Sequence, residues 1–160
     1  MLYDKKSRGS PVVIIDSSIL IDSLECKVDL LQEIGRVLSG AFTPTILSGT
    51  IAEIEDVLRR SRGEKRRKQL ALVLEVAKRF NKLDYNPQGD EEMDDVILRA
   101  ARDLNAIIAT NDGDLRRRLV KTGTPVLFLR GKSHMEASGY PDSLENTLPD
   151  SSNHYQFQRD

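Results

Sequence analysis

Short runs of aliphatic and β-branched residues alternate along the chain with longer stretches in which apolar positions recur every three or four residues. Val12 to Ile15 form the first such run, behind Pro11, and read as a buried parallel strand. Asp16, Ser17 and Ser18 come next and are suited to cap a helix through Leu20 and beyond. Leu30, Leu31, Ile34, Val37 and Leu38 keep helical spacing up to a stop at Gly40. Ala41 to Thr43 reads as a second strand. Pro44 and Thr45 then open a helix with the apolar stripe Leu47, Ile51, Ile54 and Leu58. A basic turn broken by Gly63 leads to a helix bearing Leu70, Val73, Leu74, Ala77 and Phe80, and Lys82 to Tyr85 is a candidate short strand. Asp90 is placed to cap a helix with Met93, Val96, Ile97, Ala100, Ala101 and Leu104 on one face. Ala106 to Ala109 is a further strand and Asp114 to Lys121 a further helix, ended by Gly123. Pro125 to Leu129 (PVLFL) is the last strand.

Strands alternating with helices predict an α/β fold in three layers, α/β/α, around a central parallel sheet of four to five strands. A chain of 160 residues suits one domain with a real core, expected here over residues 1–132. Beyond that the pattern dissolves. Residues 133–160 are polar and turn-rich and are expected to form a flexible C-terminal tail.

Five acids stand where this pattern turns from strand to helix, or in the first turns of a helix: Asp16, Glu53, Asp94, Asp112 and Asp114. A carboxylate placed just after a buried strand lies at the sheet's C-terminal edge, where α/β folds bind ligands. Each acid alone has an ordinary explanation. Asp16 suits an N-cap, Glu53 an exposed helical position, Asp94 and Asp95 the favourable N-terminal end of a helix dipole, and Asp112 and Asp114 a turn around Gly113. The set is harder to explain that way. Converging carboxylates repel unless a divalent cation holds them, which points to metal-dependent cleavage of phosphodiesters.

Composition narrows the alternatives. Net charge is −1, but residues 59–68 carry seven basic side chains against one acid, and residues 84–95 carry six acids and no base. Such a distribution suits a protein that grips a polyanion while holding a metal. Arg59, Arg60, Arg62, Lys65, Arg66, Arg67 and Lys68, with Arg116, Arg117, Arg118 and Lys121, are the candidate grip for a polyanion, which the family resemblance given below implies is RNA. With 5% aromatic residues, base stacking is not expected to dominate. Cys26 is the only cysteine, which excludes a disulfide framework or a cysteine-based zinc site, and two histidines, His134 and His154, argue against a histidine-rich one. The chain shows no apolar run of membrane-spanning length and no signal-peptide core at its start, so a cytoplasmic protein is expected.

The ordered segments VVIIDSSIL, TIAEIEDVL, MDDVILRAA and IIATNDGDLRRRL resemble the PIN-domain nuclease family over roughly residues 11–132. No one segment is specific; the ordered set is. Within the family the closing stretch TNDGDLRRRLVKTGTPVLFLRGK resembles archaeal proteins similar to VapC toxins, and PIN nucleases that process small-subunit ribosomal RNA. The resemblance implies a PIN-like fold and an endoribonuclease using Mg²⁺ or Mn²⁺. Asp16, Glu53, Asp94 and Asp112 would be the metal-binding and catalytic acids, and Asp114 would also face the pocket. Ser18 and Thr110 would support the first and last carboxylates, with Asp95 the neighbour that competes with Asp94 for the register. RNA, an antitoxin or a ribosome-assembly partner, and a homodimer, are the implied associations. Two other classes compete. One is a non-catalytic RNA-binding or assembly module on the same fold. The other is a phosphate-handling α/β protein, for which no DxDx[TV]-like motif is present.

Overall fold

Val13, Ile14 and Ile15 have no solvent exposure, because the strand they form is flanked on both sides and covered on both faces. The computed structural model describes residues 9–131 and 133–139. Its elements are β1 (Val12–Ile15), α1 (Ser17–Glu25), α2 (Leu30–Leu38), β2 (Thr43–Leu47), α3 (Ser48–Arg60), α4 (Glu64–Ala77) and β3 (Asn81–Leu83). The chain continues as α5 (Met93–Leu104), β4 (Ile107–Ala109), α6 (Gly113–Lys121), β5 (Val126–Arg130) and β6 (His134–Ser138). The sheet order is β3-β2-β1-β4-β5-β6, with β1 to β5 parallel and β6 antiparallel to β5. Successive strand residues face opposite sides. Val13, Ile15, Ala109 and Leu127 join a core with α1, α2, α3 and α4, whereas Ile14, Ile108 and Val126 join one with α5 and α6. The expected α/β/α layering is what forms. Among the described residues no helix is long and apolar enough to cross a membrane.

Three boundaries differ from expectation. Pro44 and Thr45 do not start a helix but lie inside β2, and α3 begins at Ser48. A proline is tolerated there because the Thr43 N–H donates to Pro11 O on the β1 side at 2.8 Å, so position 44 faces the β3 side. There β3 begins only opposite Thr45, so no ladder bond is lost. The helix α5 is capped by Glu92 rather than Asp90, in a reciprocal capping box with Asp95. The expected boundary after residue 132 also gives way. Residues 134–138 form β6, a sixth strand on the sheet. Its open edge is sealed by side chains of α2. The Met135 N–H donates to Glu33 Oε1 at 3.0 Å, and Arg36 Nη2 donates to Met135 O at 3.0 Å. Glu33 and Arg36 pair with each other at 3.0 Å, so one ion pair satisfies both outward groups of an edge residue. The rest of the expected tail, residues 140–160, lies outside the described residues.

Candidate active site

β1 and β4 pair in register, with Ile15 opposite Ala109, so Asp16 and Thr110 leave the sheet side by side. Asp16 is 8% exposed and has taken on more than a capping role. Its Oδ1 accepts from Ser17 N at 2.9 Å, and its Oδ2 accepts from Ser18 Oγ and Thr110 Oγ1, each at 2.7 Å. The Thr110 hydroxyl in turn accepts from Asp112 N at 3.1 Å, and Ser18 Oγ accepts from Asn111 N at 3.1 Å. The two strand ends are thereby laced together through Asp16. Asp112 caps α6, its Oδ1 accepting from Asp114 N at 2.9 Å and Leu115 N at 3.2 Å.

Glu53 and Asp94 reach the same edge from α3 and α5. Gly49, in the first turn of α3, is what permits the approach. A Cβ there would lie 2.6 Å from Met93 Sδ and 2.9 Å from Tyr85 O. Only glycine lets α3 start against the first residue of α5. Glu53 Oε1 then accepts from Ser17 Oγ at 3.0 Å. Glu53 is exposed by area, yet the crowding of chain around its carboxyl pushes its pKa up. Asp16 and Asp94 push the same way, against the opposing Ser17 bond. Asp94, half-buried, is raised by burial first and then by Asp112 and Asp16, with Arg118 pulling the other way. Asp94 thus lies within electrostatic reach of Asp16, Glu53 and Asp112, which links acids from four parts of the fold.

The remaining acids turn elsewhere. Asp95 is held below the usual carboxylate range by Arg118, whose Nη2 donates to its Oδ1 at 2.7 Å, and its other oxygen accepts from Glu92 N. Asp114 is largely exposed and pairs with Arg117. Of the two adjacent acids that open α5, it is Asp94 that faces the cluster. A cavity of about 500 Å³ between α5 and α6 adjoins the site on the Asp95–Arg118 side without holding the cluster.

Sequence reading passed over three residues that build this edge. Ser17 orients Glu53. Asn111 accepts from Leu129 N at 2.9 Å and donates to Asp22 Oδ2 at 2.8 Å, tying β5 and α1 to the last acidic segment. Gly49 sets the α3–α5 distance. The signal was present for Ser17 and Asn111, each a polar residue beside a strand-end acid; nothing local marked Gly49.

The basic segment is largely neutralised within the protein. Arg59 and Arg60 pair with Asp56, Arg66 with Glu25 and Lys68 with Glu64. Arg67 Nη1 donates to Leu58 O and Ser61 O, closing the end of α3. Arg62 and Lys65 are exposed and have no ion pair among the described residues. Glu25 ends α1 while Asp16 caps its start. Arg66 is therefore anchored about 14 Å from Asp16 along that helix.

The donors at the acidic edge are carboxylate oxygens, which suit a hard divalent cation. Among the described residues no three His, Cys, Asp or Glu side chains are gathered closely enough to form a ready metal-holding group. What the cluster does display is mutual repulsion of its acids, opposed at Asp94 by Arg118 and at Glu53 by the Ser17 hydrogen bond, a setting that an added cation would complement. An open arrangement of this kind fits a cation that keeps part of its water shell, as Mg²⁺ does.

Comparison with known proteins bears on this geometry. The profile of the family described as "PIN like domain" matches residues 13–132. Ribonuclease VapC4 of Methanocaldococcus jannaschii is 33% identical over 129 residues, covering 79% of this chain and 96% of that protein. The rRNA-processing protein FCF1 homolog of Mus musculus is 31% identical over 120 residues, 73% of this chain but 56% of that protein. The chain spans little more than half the length of that relative. Among solved structures, the PIN domain endonuclease Utp24 superimposes with a TM-score of 0.68 at 26% identity, over 82% of this chain and 93% of that one. With a strand-end aspartate bridged to Thr110, three further acids beside it and this match over the sheet and its helices, the chain belongs to the PIN-domain nuclease family.

Proposed function

We propose that this protein is a divalent-metal-dependent endoribonuclease that cleaves RNA phosphodiester bonds with a metal-activated water. The observation that carries the reading is the convergence of Asp16, Glu53, Asp94 and Asp112 from four elements on one sheet edge, with the carboxyls of Glu53 and Asp94 pushed up by their neighbours. Asp16, Asp94 and Asp112 would hold Mg²⁺ or Mn²⁺ directly, and Glu53 directly or through water. Such an ion, when bound, supplies charge neutralisation at the scissile phosphate and lowers the pKa of a bound water.

The chain's own contribution is orientation. Ser18 and Thr110 hold one Asp16 oxygen, the α6 amides hold Asp112 Oδ1, and Ser17 holds Glu53. The N-termini of α1, α5 and α6 all open at this edge, and their helix dipoles favour a phosphate there. No protein nucleophile is required. The relatives named as a ribonuclease and as rRNA-processing proteins support RNA as substrate and leave two biological settings, a toxin held by an antitoxin or a ribosome-assembly factor. A homodimer and a cytoplasmic location belong to the same proposal.

The test is cleavage of a labelled structured RNA pool in Mn²⁺, Mg²⁺ or EDTA by wild type and Asp16→Asn. Metal-dependent cutting that Asp16→Asn abolishes is the expected result. Salt-sensitive RNA binding without cutting under any metal would instead favour a fold retained for binding.

A further inference from the structure

We propose that Arg116 and Arg130, held over the ring of Phe128, form a binding subsite for single-stranded RNA beside the acidic edge. The inference rests on the ribonuclease reading and deepens it by locating where the strand next to the cut is held. Arg116 lies one helical turn beyond Asp112, its N–H donating to Asp112 O at 2.9 Å. Its Cζ stands 4.2 Å from the Phe128 centroid, and that of Arg130 stands 5.2 Å from the same ring. Phe128 is 5% exposed. Two guanidinium groups therefore share one aromatic surface at the C-terminal end of β5, the end of the sheet that carries the acids.

Charge pairing sets Arg116 apart from the arginines on either side of the acidic edge. Arg59, Arg60, Arg66, Lys68, Arg117 and Arg118 are each paired with a carboxylate. Arg116 has no hydrogen bond or ion pair from its side chain among the described residues, only the ring beneath it. Arg130 is held from behind. Its Nε donates to Glu136 Oε2 at 2.9 Å, and the Glu136 side chain is 2% exposed. The other oxygen of Glu136 accepts no hydrogen bond among the described residues and lies 3.7 Å from His134 Nε2, so the hydrogen bond this buried carboxyl accepts there comes from Arg130. The buried carboxylate fixes Arg130 through one nitrogen and leaves its two terminal nitrogens for a ligand.

An arginine fork of this kind matches a phosphate bidentately, and a guanidinium face is a stacking surface for an unpaired base. An arginine that merely covered Phe128 would need neither free donors nor a buried carboxylate to orient its partner. The subsite would take the phosphate of a nucleotide flanking the scissile one. Arg62 and Lys65, at the basic segment, would add general affinity farther along.

The experiment is fluorescence anisotropy of a short labelled single-stranded RNA in EDTA across a salt series, and then cleavage of the same RNA in Mn²⁺. The variants are Arg116→Gln and Arg130→Lys, the latter keeping a positive charge against Glu136, with Lys82→Gln on β3 as a charge-matched control. Thermal melts check that each variant is folded. Arg116→Gln is expected to weaken binding about tenfold, and to flatten the slope of log affinity against log salt by about 0.7 for one lost phosphate contact. Arg130→Lys should weaken binding several-fold, and Lys82→Gln should change it less than twofold. Wild type that binds and cleaves while both arginine variants bind equally well would overturn the subsite and leave the ribonuclease reading standing. Wild type that neither binds nor cleaves RNA would overturn that reading and the subsite with it.

Discussion

Asp94→Asn removes a charge from a cluster that repels it, and its neighbours set the effect on stability. The Asp94 carboxyl is raised above the usual value by burial, then by Asp112 and Asp16. For a half-exposed site each like-charge neighbour contributes about 0.5–1 kcal/mol after solvent screening. Two such neighbours together destabilise the metal-free protein by about 1–2 kcal/mol. Against this, the variant loses the attraction of a charge to the N-terminus of α5 and to Arg118, about 0.3–1 kcal/mol. The net expectation is a gain of about 1 kcal/mol, or roughly 2–4 °C in melting temperature for a domain of this size. The pH dependence has a definite sign. A carboxyl whose folded pKa exceeds its unfolded one binds its proton more tightly when folded. Its favourable contribution is complete below the ordinary aspartate value of 3.8 and is lost as pH rises through the raised value. The advantage of Asp94→Asn should therefore grow from acidic to neutral pH. The assay is thermal unfolding monitored by circular dichroism, in EDTA and in Mg²⁺ at about ten times its dissociation constant. Wild type should gain about 1.4 kcal/mol from the ion, and the variant distinctly less. A variant that melts below wild type in EDTA, or that gains as much from Mg²⁺, would refute the reasoning.

Two further substitutions test how the edge is built. Thr110→Val deletes the buried hydroxyl that donates to Asp16 and accepts from Asp112 N, leaving that N–H without its acceptor. A loss of about 1–3 kcal/mol in urea unfolding is expected, with cleavage reduced more than RNA affinity. A wild-type cleavage rate would show that Asp16 does not need this support. Gly49→Ala would set a Cβ 2.9 Å from the Tyr85 carbonyl oxygen, which cannot move aside as the Met93 side chain can. It should cost about 1–3 kcal/mol and impair cleavage by parting Glu53 from Asp94. An unchanged urea midpoint would contradict the close α3–α5 approach.

What local pattern can express, this sequence expressed. Asp16 and Asp112 were legible because a short apolar run and the polar residues that end it are neighbours in the chain. The helices α2, α4 and α5 were legible because their buried faces repeat every three to four residues. The register between Asp94 and Asp95 needed more. Adjacent helical positions differ by about 100° in direction, and only the packing of α5 turns Asp94 to the cluster and Asp95 to Arg118. Pro44 suggested a helix start, yet its strand is set by pairing with β1 and by the absence of β3 opposite that position. β6, HMEAS, does alternate polar and apolar residues, but Met135 and Ala137 are its only two apolar members, too few to mark a strand at the start of a polar stretch. It exists because β5 pairs with one edge and the Glu33–Arg36 pair satisfies the other. Charge was the least legible property. The run from Arg59 to Lys68 stood out as basic density, but Asp56, Glu25 and Glu64 neutralise much of it. Arg116 and Arg130, fourteen positions apart, meet over Phe128 only because α6 packs on β5. The chain by itself determined which residues are acidic, basic or apolar and the local elements they form. Which charges face each other and which remain for a ligand was decided by tertiary packing, because pairing depends on distances between elements far apart in sequence.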